Sequence, residues 1–429
     1  MSLYLRDVVF WDRPTGELRP GNLRIEPGAD GAMQLTDAPP AAGATVIDGR
    51  GHLALEGLTC GHHHIYSALA RGMPAPPRTP KNFAEILELV WWRLDRCLDL
   101  DMVRASALAA AMDCLRCGVT RVIDHHASPG AVAGSLGAIA DAFDAVGLGH
   151  VLCYELSDRD GGEVAAASLA ETDAHLASGR PGLVGLHASF TVGDALLRAA
   201  VDLARRHGTG LHLHVAEDRV DQDRCLADHG CRVVERLHAA GVLDQPGTIL
   251  AHCLHLNDHE RRLVADSPAW VVQNTESNQN NAVGEFSARD FVADRILVGT
   301  DGLHSDMLRS ARAAYLTGQA EGLSPAGAWQ RLWNNPRYVE AHHRAAARRN
   351  DVVLLDYAPP TPLSTENLAA HAMFGLDARQ VRLVIAGGRV VLQDGVISSI
   401  DQAATLDACR EQARRLWRAL ATASPKGQP

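Results

Sequence analysis

The stretch Gly61-His62-His63-His64-Ile65-Tyr66 decides how the rest of the chain is interpreted. It follows an apolar run over residues 53–58, which is typical of a buried strand. His62 and His64 are two residues apart, so both side chains point the same way just past the end of that strand. Two imidazoles in this position form half of a metal site. Because His-x-His also occurs in histidines that bind no metal, the other half must come from elsewhere in the chain.

The chain has 429 residues, too many to pack around one small core. Its length indicates one large α/β domain and a smaller module. Hydrophobic residues make up 46% and charged residues 21%, which argues against disorder. The net charge of -10, without a cluster of Lys and Arg, excludes a general role with nucleic acid.

The nine cysteines are scattered and odd in number, which is typical of reduced thiols in the cytoplasm. Residues 1–6 do not follow the pattern of a signal peptide, and no apolar run is long enough to cross a membrane. We therefore expect a cytoplasmic protein that acts on a small molecule and has no membrane partner.

Between residue 53 and about residue 302, short β-rich runs alternate with helical stretches rich in Ala, Leu and Arg. Repeated βα units predict a parallel sheet, and eight of them predict a closed (β/α)8 TIM barrel. No Gly-x-Gly-x-x-Gly turn follows the first run, which argues against a dinucleotide-binding fold. The eight runs cover residues 53–58, 120–124, 151–155, 183–187, 210–214, 248–252, 269–274 and 296–301.

The two ends of the chain carry further strand patterns. Short strands separated by Pro and Gly fill the N-terminal end, and a hairpin that turns at Gly387-Gly388 lies near the C-terminal end. We expect an α/β fold in which residues 1–52 and 350–400 form a small β-sandwich module beside a barrel of residues 53–349. Residues 401–429 are expected to form an amphipathic helix over 402–420 and a tail.

Polar residues concentrate at the C-terminal ends of the predicted strands. In barrel enzymes the active site is built at that end. We therefore expect one pocket to contain most of these side chains: His62, His64, Asp124, His125, His126, Glu155, His187, His214, Glu217, His252, Asn274 and Asp301.

Four of these residues suit one divalent metal ion. Three imidazoles and one carboxylate fit zinc, or iron(II) as the alternative, with one position left open for water. The expected ligands are His62, His64, His214 and Asp301. A bound ion lowers the pKa of water to about 7, which makes hydroxide available at neutral pH.

The site also needs groups that carry protons. Glu217 follows His214 by three residues, close enough to take a proton from the water and pass it to a leaving group. We expect His252 to polarise the substrate or steady the hydroxide. Asp301 is expected to accept a proton when the tetrahedral intermediate collapses. Trp91-Trp92 is interpreted as helix packing.

Several motifs carry a resemblance to a known family. The chain resembles the amidohydrolase superfamily, in the branch that includes guanine deaminase, adenosylhomocysteine deaminase and triazine chlorohydrolases, and within it the SsnA-type aminohydrolases. The motifs that carry this resemblance span nearly the whole chain, at residues 66–73, 81–87, 122–129, 185–191, 212–218 and 251–255.

The resemblance implies a site with one metal ion held by the four ligands named above, with Glu217 as the proton shuttle and His252 beside the attacking water. No lysine ends the fourth strand, which argues against the two-metal subtypes. A homo-oligomer is also implied. The expected substrate contacts are His187, Glu85 and Asn274.

The chain departs from the family pattern at two strands. Glu56-Gly57 stands where Pro-Gly is usual, and Asn274-Thr275-Glu276-Ser277-Asn278 stands where Asn-Pro-x-Ser-Asn is usual. If Glu276 faces the pocket, its negative charge should change the substrate preference. The roles of His125, His126 and His304 stay open.

The functional hypothesis is a metal-dependent amidohydrolase that deaminates an aminated N-heterocycle, such as a purine, pyrimidine or triazine, through a metal-bound hydroxide. Ring opening of a cyclic amide or amidine, or dechlorination, is the alternative at the same site. An alternative of another class is a metal-binding module without catalysis. The presence of both Glu217 and His252 argues against that module, because a structural zinc site needs four ligands and no proton shuttle.

Overall fold

The chain begins with five strands of a mixed sheet. In the computed structural model, which describes residues 2–28 and 31–423, β1 pairs antiparallel with β2 and parallel with β4 and β5. The tail expected over residues 424–429 lies outside the described residues. The five strands are β1 (Leu3–Asp12), β2 (Glu17–Ile25), β3 (Met33–Thr36), β4 (Thr45–Asp48) and β5 (Leu53–Glu56).

The next eight strands form a parallel barrel. Each strand pairs in parallel with the next, and an isolated bridge joins His63, at the end of the first strand, to Asp301, three residues after the last strand. The predicted TIM barrel is thereby confirmed. Its strands are β6 (Leu58–His63), β7 (Val119–His126), β8 (Gly149–Leu156), β9 (Val184–Ala188), β10 (Leu211–Val215), β11 (Ile249–His252), β12 (Trp270–Gln273) and β13 (Ile296–Val298).

The first barrel strand does not lie where the sequence pattern placed it. Residues 53–56 belong to the mixed sheet, and the barrel begins one residue later, after Gly57. A Cβ at residue 57 would lie 2.2 Å from Thr120 Oγ1 and 2.9 Å from Asp351 Cβ, so glycine lets the chain pass between the two sheets. The pattern hid this break because the strands on both sides of it are largely buried, and Leu58 continues the apolar run of β5.

Four C-terminal strands complete the mixed sheet. They are β14 (Val352–Leu355), β15 (Val381–Ala386), β16 (Arg389–Gln393) and β17 (Val396–Ile397). β14 pairs antiparallel with β5, so the strand order is β17-β16-β15-β14-β5-β1-β2-β3, with β4 also on β1. The predicted hairpin at Gly387-Gly388 is confirmed by the pairing of β15 with β16. Both ends of the chain therefore contribute to one additional sheet, as predicted.

A buried ion pair connects this sheet to the barrel. Arg121 lies in β7, and its Nη2 is 3.3 Å from Oδ2 of Asp351, next to β14. Both side chains are 3% exposed. The other carboxylate oxygen of Asp351 accepts a hydrogen bond from the main-chain N of Gly387.

Helices cover the barrel. Gln402–Thr422, at the end of the chain, contacts Leu100–Arg116, where Cys409 Sγ donates to the main-chain O of Ala105. No helix of the described residues is both long and apolar enough to cross a membrane. The helices are α1 (Phe83–Ile86), α2 (Trp92–Arg96), α3 (Leu100–Arg116), α4 (Ser135–Val146), α5 (Gly162–Ala177), α6 (Asp194–His207), α7 (Arg219–His229), α8 (Val233–Ala239), α9 (Asp258–Asp266), α10 (Thr275–Asn280), α11 (Met307–Gly318), α12 (Pro325–His342), α13 (Leu368–Phe374) and α14 (Gln402–Thr422).

A π-helical turn, Leu87–Trp91, joins α1 to α2. Such turns are rare and often occur at functional sites, because the extra residue rotates the following side chains about the helix axis. The combined helix spans residues 83–96 and lies over the C-terminal end of the barrel, where its side chains meet those of the strand ends.

Candidate active site

The C-terminal ends of the barrel strands bring the four expected ligands together. Nε2 of His64 lies 3.0 Å from Nε2 of His214. Oδ1 of Asp301 lies 3.1 Å from Nε2 of His64 and 3.4 Å from Nε2 of His62. All four residues are buried. Three nitrogens and one carboxylate oxygen therefore face a common point.

Main-chain carbonyls orient two of these rings. Nδ1 of His64 donates to the carbonyl O of His125 over 2.6 Å, and Nδ1 of His214 donates to that of His187 over 2.9 Å. Metal-binding histidines commonly tie down their second ring nitrogen in this way, which fixes the tautomer and leaves Nε2 free as the ligand atom.

Gly299 lets the last barrel strand approach His62. A Cβ at residue 299 would lie 2.8 Å from Cβ of His62 and 2.3 Å from Oδ1 of Asn274. No larger residue fits there without moving His62, so this glycine helps to place the ring of His62.

Unusual backbone conformations also cluster at the strand ends. Non-glycine residues rarely adopt positive φ, and such strain is typically kept where function requires a side chain in one position. Two of the residues concerned, His252 and Asp301, belong to the site predicted from sequence. Of the eight non-glycine residues with positive φ in the described chain, four follow barrel strands or end one: Ala216 at 47°, His252 at 70°, Cys253 at 54° and Asp301 at 51°.

The electrostatics of the ligand group favour a cation. Burial acts to raise the pKa of Asp301, but the nearby imidazoles of His62 and His64 outweigh it, so the pKa lies well below the usual value. Burial lowers the pKa of His62 to about 3, which keeps its ring neutral. The carboxylate of Asp301 raises the pKa of His64 to about 9 despite burial, so a metal ion that binds His64 would displace the proton of that ring.

Glu217 and His252 lie beside the ligand group. Oε2 of Glu217 is 3.5 Å from Nε2 of His252, and Nδ2 of Asn281 donates to Oε1 of Glu217 over 3.4 Å. Burial and the charge of Asp301 raise the pKa of Glu217 well above its usual value. Glu217 is therefore a buried carboxyl group that binds a proton more tightly than an exposed carboxyl group does.

His252 is oriented by an amide. Nδ2 of Asn278 lies 2.7 Å from Nδ1 of His252 and donates to it, so Nε2 carries the ring proton and points toward Glu217. Burial lowers the pKa of His252 to about 4, so the ring is neutral.

A cavity opens in front of these groups. The strand ends and the helix of residues 83–96 build most of its wall. The interpretation of Trp91 and Trp92 as helix packing is incomplete, because both also line the cavity. The lining side chains include His64, Tyr66, Phe83, Leu87, Trp91, Trp92, Asp95, Glu155, His187, His214, Glu217, Asn281 and Asp301.

The predicted substrate contacts are placed differently from one another. His187 lines the cavity, with its Nδ1 2.6 Å from Oγ1 of Thr191. The carboxylate of Glu85 instead accepts hydrogen bonds from Arg78 and from the main-chain N of Lys81. Within the described residues, Glu85 does not line the cavity. Its contact with substrate stays a prediction.

Asn274 and Glu276 also lie away from the cavity wall of the described residues. Asn274 is buried against Gly299. Glu276 forms hydrogen bonds of 2.6 Å with both His304 and Arg309, which neutralise its charge at the rim. Glu276 and His304 therefore contact each other. The contact of Asn274 with substrate stays a prediction.

The residues present fit a metal ion. Nε2 of His62 is fully buried and has no hydrogen-bond partner within residues 2–28 and 31–423. It faces Oδ1 of Asp301, and one atom each of His62, His214, His252 and Asp301 lies within 4.8 Å of the others. A buried donor set of imidazoles and one carboxylate suits a divalent cation of the first transition series or zinc.

Comparisons with known proteins show which sequences this chain is similar to. The amidohydrolase family profile matches residues 54–330. A 5-methylthioadenosine/S-adenosylhomocysteine deaminase of Desulforudis audaxviator is 27% identical over 427 residues, covering 92% of this chain and 95% of its own.

Solved structures show the same fold. An adenosine deaminase from Xanthomonas campestris with bound zinc superposes with a TM-score of 0.78 at 20% identity, covering 97% of this chain and 98% of its own. An atrazine chlorohydrolase from Arthrobacter aurescens, complexed with zinc, has a TM-score of 0.77 at 19% identity, covering 96% of this chain and all of its own (100%).

Proposed function

Because this chain belongs to the amidohydrolase family, we propose that it removes the amino group from an aminated N-heterocycle by metal-dependent hydrolysis. The observation that carries the proposal is the contact between Glu217 and His252, 3.5 Å apart, beside the buried ligand group. The alignment with the deaminase named above covers 95% of that protein. This similarity supports deamination over other hydrolyses.

We assign His62, His64, His214 and Asp301 as the residues that hold the ion. Zinc is the ion we propose, with iron(II) as the alternative, because both accept imidazole and carboxylate ligands. When bound, such an ion activates water as a nucleophile at neutral pH and stabilises negative charge on oxygen.

Glu217 supplies the proton that this reaction needs. Its carboxyl group is buried, which raises its pKa well above the usual value, and it lines the cavity. Glu217 passes one proton of the attacking water to a ring nitrogen, which makes the neighbouring carbon more electrophilic. The second proton of that water, released as the tetrahedral intermediate collapses, is transferred to the amino group, which leaves as ammonia. A carboxyl group that must give and take protons at neutral pH requires the raised pKa that burial provides.

His252 and His187 position the reacting groups. Nε2 of His252 carries a proton that can hydrogen-bond an oxygen near the ligand group, and Asn278 fixes this orientation. His187 is neutral, because burial lowers its pKa to about 4, and it lines the cavity. Its free ring nitrogen is a hydrogen-bond partner for the heterocycle. Asp301 is proposed to accept a proton as the amino group leaves.

The experiment is ammonia release from a panel of aminopurines, aminopyrimidines and aminotriazines, using protein shown to hold about one metal ion per chain. Ammonia from any of them supports deamination. If none releases ammonia, while chlorotriazines or cyclic amides are hydrolysed, the leaving group assigned here is wrong. If metal-loaded protein hydrolyses none of these compounds, a metal-binding module without catalysis becomes the better interpretation.

A further inference from the structure

One wall of the cavity contains buried charges that the proposed reaction does not use. Glu155, at the end of β8, is 6% exposed, and Asp95, in α2, is 1% exposed. Arg159 donates hydrogen bonds to both carboxylate oxygens of Asp95. The guanidinium is therefore committed to Asp95 and not to Glu155.

Glu155 lacks a short hydrogen bond. The polar groups beside its carboxylate are Nδ1 of His125 at 3.4 Å and Nη2 of Arg159 at 3.7 Å. N–H···O hydrogen bonds in proteins usually span about 2.7–3.2 Å. A buried carboxylate without close donors is costly, so a ligand that brings an N–H group to it gains binding energy.

The charge on Glu155 is maintained despite burial. Burial acts to raise the pKa of this carboxyl group, but the neighbouring His187, His125 and Arg159 outweigh it, and the pKa lies below its usual value. An ionised carboxylate accepts hydrogen bonds and donates none, so it prefers N–H groups and repels another anion.

Trp92 offers the complementary group. Its Nε1 is buried and has no hydrogen-bond partner in the part of the chain that the structure describes. The ring of Trp92 lies 5.9 Å from that of His187, and a ring nitrogen of His187 lies within 4.8 Å of a carboxylate oxygen of Glu155. The acceptor Glu155 and the donor Trp92 thus both lie next to His187.

We propose that Glu155 determines substrate specificity by accepting a hydrogen bond from a ring N–H or amino group of the heterocycle, while Trp92 donates to a ring carbonyl or nitrogen. This inference rests on the proposed function and narrows its substrate class. Neutral or cationic amino-oxo heterocycles, which present N–H and C=O side by side, fit this wall. Heterocycles with a carboxylate or phosphate on the edge that faces Glu155 do not fit, because the two anions would repel each other.

The test measures initial binding by rapid mixing, before turnover can deplete a probe that carries an amino group. Trp91 and Trp92 line the cavity, and a bound heterocycle is expected to quench their fluorescence. The probes are isocytosine, its ring-N-methyl derivative and its carboxylic acid derivative, added to the metal-loaded protein. Wild-type protein should bind isocytosine about tenfold or more tightly than either derivative.

Substitution of the carboxylate gives the decisive comparison. Glu155→Gln should weaken isocytosine binding by about tenfold to a hundredfold and should reduce the discrimination against the acid derivative. Glu163→Gln is the matched control, because Glu163 is exposed at the start of α5 and its change should leave all three affinities as they are. Equal weakening of all three probes by Glu155→Gln, or no binding of isocytosine by the wild type, would overturn the proposal.

A second variant covers the case in which Glu155→Gln does not fold. Glu155→Asp keeps the charge and retracts it by one methylene, so it should weaken isocytosine binding and still exclude the acid derivative. Failure of the proposed function is distinguishable from failure of this inference. Selective binding of isocytosine without ammonia release from any substrate would refute only deamination. Ammonia release with unchanged binding in Glu155→Gln would refute only the role of Glu155.

Discussion

Nδ1 of His62 lies 2.9 Å from Nε2 of His212, so two buried histidines share one hydrogen bond. Burial lowers the pKa of both, and both rings are therefore neutral, with a single proton between these two nitrogens. His212 thereby holds His62 with Nε2 turned toward Asp301. His212 is two residues before His214 on β10, and we propose that it orients His62 without binding the ion itself.

Replacing His212 should weaken metal binding. We expect His212→Leu to lower the affinity for the ion by about 10- to 100-fold, because His62 loses the partner that fixes its tautomer. The measurement is metal content after equilibration with graded chelator. His175→Leu removes another buried histidine, outside this cluster, and should retain the ion. Equal metal affinity in His212→Leu and the wild type would contradict the orienting role.

Replacing Glu217 should separate metal binding from turnover. Glu217→Gln keeps the shape of the side chain but cannot release a proton. We expect the turnover rate to fall by about 10²–10⁴-fold with unchanged metal content. Glu285→Gln, an exposed acid, serves as the control and should leave both quantities unchanged. Activity of the Glu217→Gln protein near the wild-type rate would remove Glu217 from the mechanism.

Replacing Asn278 should change the orientation of His252. Asn278→Ala removes the donor that lies 2.7 Å from Nδ1 of His252, and we expect the turnover rate to fall by about 10- to 100-fold. Asn278→Asp should be worse, because a carboxylate accepts a proton from Nδ1 and reverses the tautomer. Turnover and metal content are measured side by side. If Asn278→Asp is faster than Asn278→Ala, the tautomer assigned to His252 is wrong.

Breaking the pair that connects the two sheets should destabilise the protein. Asp351→Ala leaves the guanidinium of Arg121 buried without its partner, which typically costs about 3–5 kcal/mol in the free energy of unfolding. Asp394→Ala removes a half-exposed partner of Arg382 and should cost about 1 kcal/mol or less. Urea unfolding of both variants tests the difference. Similar losses in the two variants would show that Arg121 finds another partner.

Much of the barrel follows from local pattern. Seven of the eight predicted runs are barrel strands, because β-rich residues followed by a polar residue are typical of strands that end at an active site. The remaining run was misplaced, since nothing in residues 53–58 reveals that Gly57 passes between two sheets. That crossing depends on Thr120 and Asp351, which are distant in sequence.

The cavity wall was harder to predict. Trp92 and Asp95 face the cavity because the π-helical turn Leu87–Trp91 rotates the residues that follow it. A helical pattern with 3.6 residues per turn does not show such an insertion. Glu85 precedes the turn, and its position near Arg78 depends on the fold of the preceding loop. The role of His212 depends on how deep its side chain lies inside the barrel. The spacing of histidines in the sequence does not show that depth.

The crossing at Gly57 has a consequence for synthesis on the ribosome. β5 is paired with β14 on one edge and β1 on the other, yet β14 is translated only after the entire barrel. Until then one edge of β5 is open, and open edges invite pairing with other nascent chains. A single residue separates β5 from the strand that carries His62. A polypeptide that stalls before residue 352 therefore leaves its histidine strand anchored to an unfinished sheet, and it should be a preferred client of chaperones.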